Sequence, residues 1–282
     1  MPRRTRSQSQ PMAQPPAGPT TWLRADYEFP STFSYRMPDV SAQFAVGSPI
    51  PSPAAVKLAL VDTAIRWSGD VNEGRRIFDI IKTASICVVP PPRIARFRAF
   101  IKRLKPDEVV ACANHPSYRV SAKLRRNRRP ACPFCGTIPD VNLPILEEST
   151  GVRDYFLLDG PLSVFIEVPQ SDAAYIARLL QRIRRFGTSD SICWCVAVCF
   201  ESPDQALCPQ RFGDRSHAQG RLVVRLSDLT QQSQFNGFDP FRGNVQEARL
   251  GKGVYVLPLR VRRSGETWAI LERIRTNTGG LT

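Results

Sequence analysis

The sequence predicts an α+β domain with a mainly antiparallel sheet, helices on one of its faces, a zinc-stapled insertion and additional C-terminal strands. Three observations predict it. Alternating and helically spaced apolar stretches follow in the order strand, helix, strand, insertion, hairpin, helix, strand, further strands. The last third holds several more strand-like segments. Two Cys/His pairs bracket the insertion. A βαββαβ ferredoxin-like core accommodates the main elements.

The N-terminal residues 1–20 are rich in Pro, Gln and Ser, carry three Arg, and read as a disordered tail. "TWLRADYEF" alternates in hydrophobicity and predicts a first strand, Trp22 to Phe29. A proline-punctuated connection follows, Pro30 to Pro53. Ser52 is a good N-cap, Pro53 suits a first helical turn, and Gly69 stops the helix. "NEGRRIFDIIKTA" predicts a second, short helix, and Ser85 to Val89 a strand. "RIARFRAFIKRL" fits either a strand or a basic helix, because "AFI" breaks strict alternation.

Beyond the insertion, "RDYFLLDGPLSVFIEVP" predicts a hairpin about Asp159–Gly160. "QSDAAYIARLLQRIRRFG" predicts a helix from a Ser171 cap to Gly187, with Ile176, Leu179, Leu180 and Ile183 inward. "SICWCVAVCFE" has so little polar character that it predicts a strand buried on both faces. "GRLVVRLSDL", "GVYVLPLRVRR" and "TWAILERIR" predict further strands, with a polar loop, "TQQSQFNGFDPFRGN", among them.

The charge points to a polyanion. Lys and Arg number 39 against 25 Asp and Glu, a formal charge of +14. Such a surplus favours nucleic acid, and the cations are mostly Arg, suited to bidentate phosphate contact. No apolar run is long enough to cross a bilayer, and the N-terminus lacks an apolar signal core. The expectation is a cytoplasmic protein that does not bind membranes. Its cysteines are then thiols or metal ligands rather than disulfides.

Cys112 and His115 are separated by two residues, as are Cys132 and Cys135, and sixteen residues lie between the pairs. This is the spacing of structural zinc. A two-residue spacer lets one tight turn aim two ligands at one ion, and two turns complete a tetrahedron. In "CPFCG", Pro133 pre-sets the turn and Gly136 allows the backbone that points amides at thiolate sulfur. Four protein ligands close the shell, so the ion is structural. The loop it closes carries Arg119, Lys123, Arg125, Arg126, Arg128 and Arg129. Zinc at the base and arginines at the tip predict a nucleic-acid-contacting finger across 110–140. Competing readings are a redox "CPFC" and an ordinary solvated basic loop. Cys87, Cys193, Cys195, Cys199 and Cys208 read as core thiols, the middle three sharing one side of a strand. His217 reads as a lone loop residue. No Walker loop, "GxSxG" or "HExxH" is present.

The order of the pieces resembles a known family. "EFPSTFSYRMPDVSAQFAVGSPIPSPAAVKLALVDTAI", then "TGVRDYFLLDGPLSVFIEVP", a helix, and "RIRRFGTSDSICWC" are similar to the RAMP superfamily of CRISPR effector complexes. More closely, they resemble the Cas-five family. The carrying features are a proline-rich turn into a small-residue helix (Pro49 to Ala64), an Arg-aromatic hairpin (Arg153, Asp154, Tyr155), and a turn from Phe186 to Ser191. The likeness spans about Thr21 to Cys199. It implies a ferredoxin-like, RRM-like domain over 21–282 with a protruding thumb. It also implies a Cascade subunit that grips the 5′ handle of the guide (crRNA). Its partners would be the large subunit, a backbone subunit and target DNA near the protospacer-adjacent motif. The Cys/His pairs in the thumb depart from the family pattern.

On this reading the RNA contacts are Phe33 and Tyr35 for stacking, with Arg36, Lys57, Arg93, Arg96, Arg98, Arg125, Arg126, Arg128, Arg129 and Arg153 for phosphate. Two alternatives remain. One is a metal-independent endoribonuclease with His115, Tyr118 and Lys123 as the acid/base group. It conflicts with zinc, because a metal-bound His cannot shuttle protons. The other is a zinc-ribbon nucleic-acid protein outside CRISPR biology.

Overall fold

A computed structural model describes residues 18–39, 44–187, 191–213, 222–238 and 249–274. Most of the N-terminal tail, Thr188 to Asp190, His217 and the end of the polar loop lie outside the described residues. The elements run β1 (Thr20–Glu28), β2 (Phe44–Ala45), α1 (Pro53–Ser68), α2 (Val71–Ile81), β3 (Ile86–Val89), β4 (Arg93–Ala111), β5 (Arg119–Ser121), β6 (Val141–Asp159) and β7 (Leu162–Pro169). Then come α3 (Ala173–Leu180), β8 (Trp194–Phe200), β9 (Gln210–Arg211), β10 (Leu222–Asp228), β11 (Gly251–Leu257), β12 (Leu259–Ser264) and β13 (Trp268–Arg273).

The chain divides into two compact units. One comprises Met1–Pro38, Gly47–Phe97 and Tyr155–Thr282; the other comprises Asp39–Val46 and Arg98–Asp154. In the first unit, a four-stranded sheet has the order β3-β7-β1-β8, and every neighbouring pair is antiparallel. Helices join β1 to β3 and β7 to β8, so each helical connection spans one intervening strand. Alternation on β1 sends Leu23, Ala25 and Tyr27 to the helical face. There they meet Val56 and Leu60 of α1, Ile77 and Phe78 of α2, and Ile176 and Leu180 of α3. The Tyr27 hydroxyl donates to the Leu180 carbonyl at 2.8 Å, which ties α3 to the central strand. A three-stranded sheet, β10-β11-β9, and the C-terminal pair β12 and β13 complete this unit, with β13 paired to the first residues of β4.

The α1 start is as the sequence predicts: the Ser52 hydroxyl accepts from the Ala55 amide, and Gly69 caps the end in the left-handed region. Of the two forms that "RIARFRAFIKRL" fits, it takes the strand, within a β4 that runs nineteen residues. Other expectations need correction. The Asp159–Gly160 turn does not close a hairpin. It passes the chain from β6 in one sheet to β7 in another, because β1 takes the edge of β7 that β6 would need. Helix α3 ends at Leu180 rather than at Gly187, and Asp172, not Ser171, sits at its N-cap.

Strand β8 is not buried on both faces. It is the edge of its sheet, and Trp194, Val196 and Phe200 are exposed. A register shift between Asp26 and Tyr27 also breaks the parity of its cysteines. Cys195 lies beside core-facing Tyr27, whereas Cys199 lies beside Arg24 and is exposed. Finally, Cys87 and Cys208 form a disulfide rather than being free thiols. Their Cα atoms are 5.5 Å apart across a sequence separation of 121. The bridge lies in a small cluster with Val89 and Phe165.

One buried ion pair fixes α1 to β10. The Lys57 ammonium, 1% exposed, lies 2.7 Å from Asp228 Oδ1 and also donates to the Lys82 carbonyl. Burial lowers the Lys57 pKa and raises that of Asp228, so the pair is held against its desolvation cost. Asp228→Ala strands a cation in the interior. Breaking such pairs costs about 3–5 kcal/mol, and the partial exposure of Asp228 places this one near 3 kcal/mol. Urea unfolding of the variant checks this; a loss under about 1 kcal/mol contradicts a buried charge.

Candidate metal centre and nucleic-acid interface

The Cys/His cluster belongs to the second unit. β4 and β5 pair antiparallel, Val109 with Ser121 and Ala111 with Arg119. The connection between them is a tight knuckle. The Cys112 amide donates to the Tyr118 carbonyl at 3.1 Å, and the Tyr118 amide to the His115 carbonyl at 2.9 Å. These bonds turn Cys112 and His115 toward the same point. The second knuckle is built by "CPFCG". The Gly136 amide donates to the Cys132 carbonyl at 2.8 Å, and the Cys132 amide to the Thr137 carbonyl at 2.9 Å. Gly136 has φ +69°, the left-handed conformation that the motif predicts for glycine. The Asp140 amide reaches the Ala111 carbonyl and joins the two knuckles.

Together the knuckles bring one ligand atom each from Cys112, His115, Cys132 and Cys135 within 4.8 Å of one another. Cys112 Sγ lies 3.4 Å from Cys135 Sγ, and Cys132 Sγ lies 3.7 Å from His115 Nδ1. The four residues could hold a metal ion. The thiol environments differ. Burial pushes the Cys112 thiol up. The Thr137 hydroxyl, followed by the Thr137 backbone, brings Cys135 down to about 6. Cys112 and Cys132 are buried, His115 is half-buried and Cys135 is exposed. Phe134 leans on the His115 ring, centroids 5.3 Å apart.

The basic residues between the knuckles do not act alike. Arg125, Arg126 and Arg128 are exposed around a short 3-10 turn, and Arg126 lies 3.7 Å from Asp140. Arg129 is half-buried. It donates to the Leu124 and Pro139 carbonyls at 3.0 and 3.1 Å, so it braces the loop. Tyr118 and Lys123 of the nuclease reading share this loop, Tyr118 half-buried and Lys123 exposed.

The other candidates scatter. Arg98 is bound to the fully buried Asp154 at 3.0 Å, and Arg153 is half-buried beside it in sequence. In the first unit, Arg93 pairs with Asp159 at 2.8 Å, and the buried Nε of Arg96 has no hydrogen-bond partner among the described residues. Arg36 is exposed.

Two positions are corrected. Phe33 is fully buried against Phe29 and Phe156, so it offers no ring to a base. Lys57 faces the interior and spends its ammonium on Asp228. Residue type alone does not show which side is inward: Phe33 bridges Phe156 in the interior, and Lys57, near the α1 start, faces β10. Tyr35 is half-buried, stacks on Phe33 and bonds the Ser52 hydroxyl. Sequence reasoning passed over a surface row of Phe97, Tyr155 and Trp268; the only available signal was the alternation in "RIARF", "RDYFL" and "TWAIL".

No family model matches the chain. It is 29% identical over 256 residues to a CRISPR-associated protein Cas5 of Archaeoglobus fulgidus, a match that covers 89% of this chain and 98% of that one. Among solved structures, a CRISPR protein from Archaeoglobus fulgidus matches over 89% of this chain and 91% of its own, at 12% identity and a TM-score of 0.38. A CRISPR RNA-guided surveillance complex chain matches over 91% of each, at 12% identity and a TM-score of 0.33. Sequence similarity to a CRISPR-associated protein Cas5, the family that the sequence resembles, thus runs through almost the whole of both proteins.

Proposed function

We propose that the chain is a non-catalytic subunit of a Cascade-type CRISPR interference complex that binds the 5′ handle of the guide RNA. The observation that carries this reading is similarity to a Cas5 protein over nearly all of both chains. The charge of +14 agrees with a polyanionic partner. The antiparallel order β3-β7-β1-β8, with helical connections between β1 and β3 and between β7 and β8, supports a ferredoxin-like, RRM-like domain. Its other partners would be the large subunit, a backbone subunit and target DNA.

The cluster would hold zinc. Tetrahedral zinc with sulfur at about 2.3 Å and nitrogen at about 2.0 Å sets ligand atoms roughly 3.5–3.8 Å apart. The Cys112–Cys135 and Cys132–His115 separations, 3.4 and 3.7 Å, fit that shell. Zinc here closes a loop whose few apolar side chains, such as Phe134, stay exposed. It would hold Arg125, Arg126 and Arg128 in place against the phosphates of the handle. It also occupies His115, which supports a binding role over ribonuclease chemistry.

The test is salt-dependent binding of the handle RNA to the triple variant Arg125→Ala, Arg126→Ala, Arg128→Ala. Each lost contact to a single strand lowers the log–log salt slope by about 0.7, so the slope should fall by about 2. An unchanged slope removes the thumb from the interface.

A further inference from the structure

The first unit carries a sheet face that the handle-binding thumb does not use. Phe97 of β4 and Trp268 of β13 are direct cross-strand partners, so their side chains share one face. Tyr155 of β6 stacks on Phe97, with centroids 5.6 Å apart and planes 20° apart. Three aromatic residues from three strands therefore lie abreast. Phe97 and Trp268 are about two-fifths exposed, and neighbouring Leu157 is exposed as well.

The Trp268 position is set by the hairpin beside it. The Gly265 amide donates to the Trp268 carbonyl at 2.9 Å. A Cβ on Gly265 would stand 2.5 Å from the Trp268 Nε1, so the indole rests directly on the glycine.

Further along the same face the chemistry turns cationic. Arg93 opposes Glu272, which opposes Arg260. Arg260 and Arg262 share the single Glu272 carboxylate at 2.9 and 3.6 Å, and Arg93 is held by Asp159. Arg263 opposes Ile270 between the two rows. It is exposed and, among the described residues, has no carboxylate partner. Four guanidiniums thus face two carboxylates. A cavity of about 750 Å³ opens at this end, lined by Arg93, Arg260 and Arg262.

We propose that this face is a binding platform for single-stranded nucleic acid, with bases adding to the Tyr155–Phe97–Trp268 row and phosphates meeting Arg260, Arg262 and Arg263. Aromatic rings beside a surplus of guanidinium are what an unpaired strand requires: every base offers a π-face, and each link of its backbone a negative charge. The rings stand at an exposed surface in a chain of charge +14 rather than in a packed core. The three rings belong to the first unit, and the platform does not depend on the handle reading.

The test uses the full chain and labelled oligouridylate RNA and oligothymidylate DNA of about ten nucleotides, a length typical of single-strand sites. Trp268→Ala should weaken binding by roughly 5- to 100-fold, and Trp268→Phe should restore most of it, because one base loses and regains its stacking partner. Arg263→Ala should lower the salt slope by about 0.7. Crosslinking with 5-iodouridine RNA should mark peptides holding Phe97, Tyr155 or Trp268. Preference for RNA assigns the platform to the guide; preference for DNA assigns it to an unpaired target strand. The proposal is overturned if the parent binds neither oligonucleotide. It is also overturned if Trp268→Ala and Arg263→Ala both bind as the parent does, or if crosslinks fall only within 98–154. In those last two cases the thumb variants decide the handle reading independently.

Discussion

Stripping metal from the Cys112–His115–Cys132–Cys135 cluster is expected to unfold the loop it closes. Structural zinc contributes about 10–16 kcal/mol of apparent binding free energy, comparable with the whole stability of an ordinary domain. Little else holds 112–140. Cys112, Cys132 and Pro139 are its buried residues, and apart from the three-residue β4–β5 pairing and the Asp140–Ala111 bond its backbone bonds are short-range turns. Cys132→Ser should act as chelation does, because one missing thiolate leaves three ligands and a buried hydroxyl. Hydrogen exchange with peptide mass analysis reads the result. Amides across 112–140 should lose protection in either case, while those of β1 and β7 keep theirs. Unchanged protection after verified metal loss would mean that the knuckles fold without an ion.

Breaking the Cys87–Cys208 bridge should produce the second large effect. The bond closes a loop across 121 residues. In the chain-entropy account a loop of that length stabilises by close to 5 kcal/mol, and measured values run about 2–5 kcal/mol. Both sulfurs are buried, so Cys208→Ala also leaves a small void. For a chain of this size the loss corresponds to a Tm lower by roughly 3–8 °C. The same shift should follow reduction of the parent and should be absent when the variant is reduced. Alkylation in denaturant without reductant should label six cysteines, the number left free. Eight labelled cysteines would exclude the bridge.

Local chemistry made much of this protein legible. The Ser52–Pro53 start of α1, its Gly69 stop and the "CPFCG" turn each rest on one or two residues with strong backbone preferences. The ligand cluster was legible for the same reason, since two short spacers dictate two tight turns. What failed depended on neighbours distant in sequence. The Cys87–Cys208 pairing spans too long a loop to leave a local signal. "SICWCVAVCFE" reads as interior, yet β8 lies at an edge, because burial depends on what packs outside it. The Asp159–Gly160 turn looks like a hairpin, but sheet membership is decided by β1. Lys57 looked like a phosphate ligand, and only the partner on β10 shows that it is an interior cation. Arg129 belongs to the same class: type alone does not separate a guanidinium that braces carbonyls from one that meets a ligand.

The most direct measurement is of the nucleic acid that the chain carries. The tagged protein is isolated from its own cells with its partners, and the bound RNA is extracted and sequenced. Short RNAs that share one repeat-derived 5′ segment are expected, with RNA crosslinks from that segment to this chain. Protein that carries no RNA, or RNA of random 5′ sequence, would contradict the handle reading.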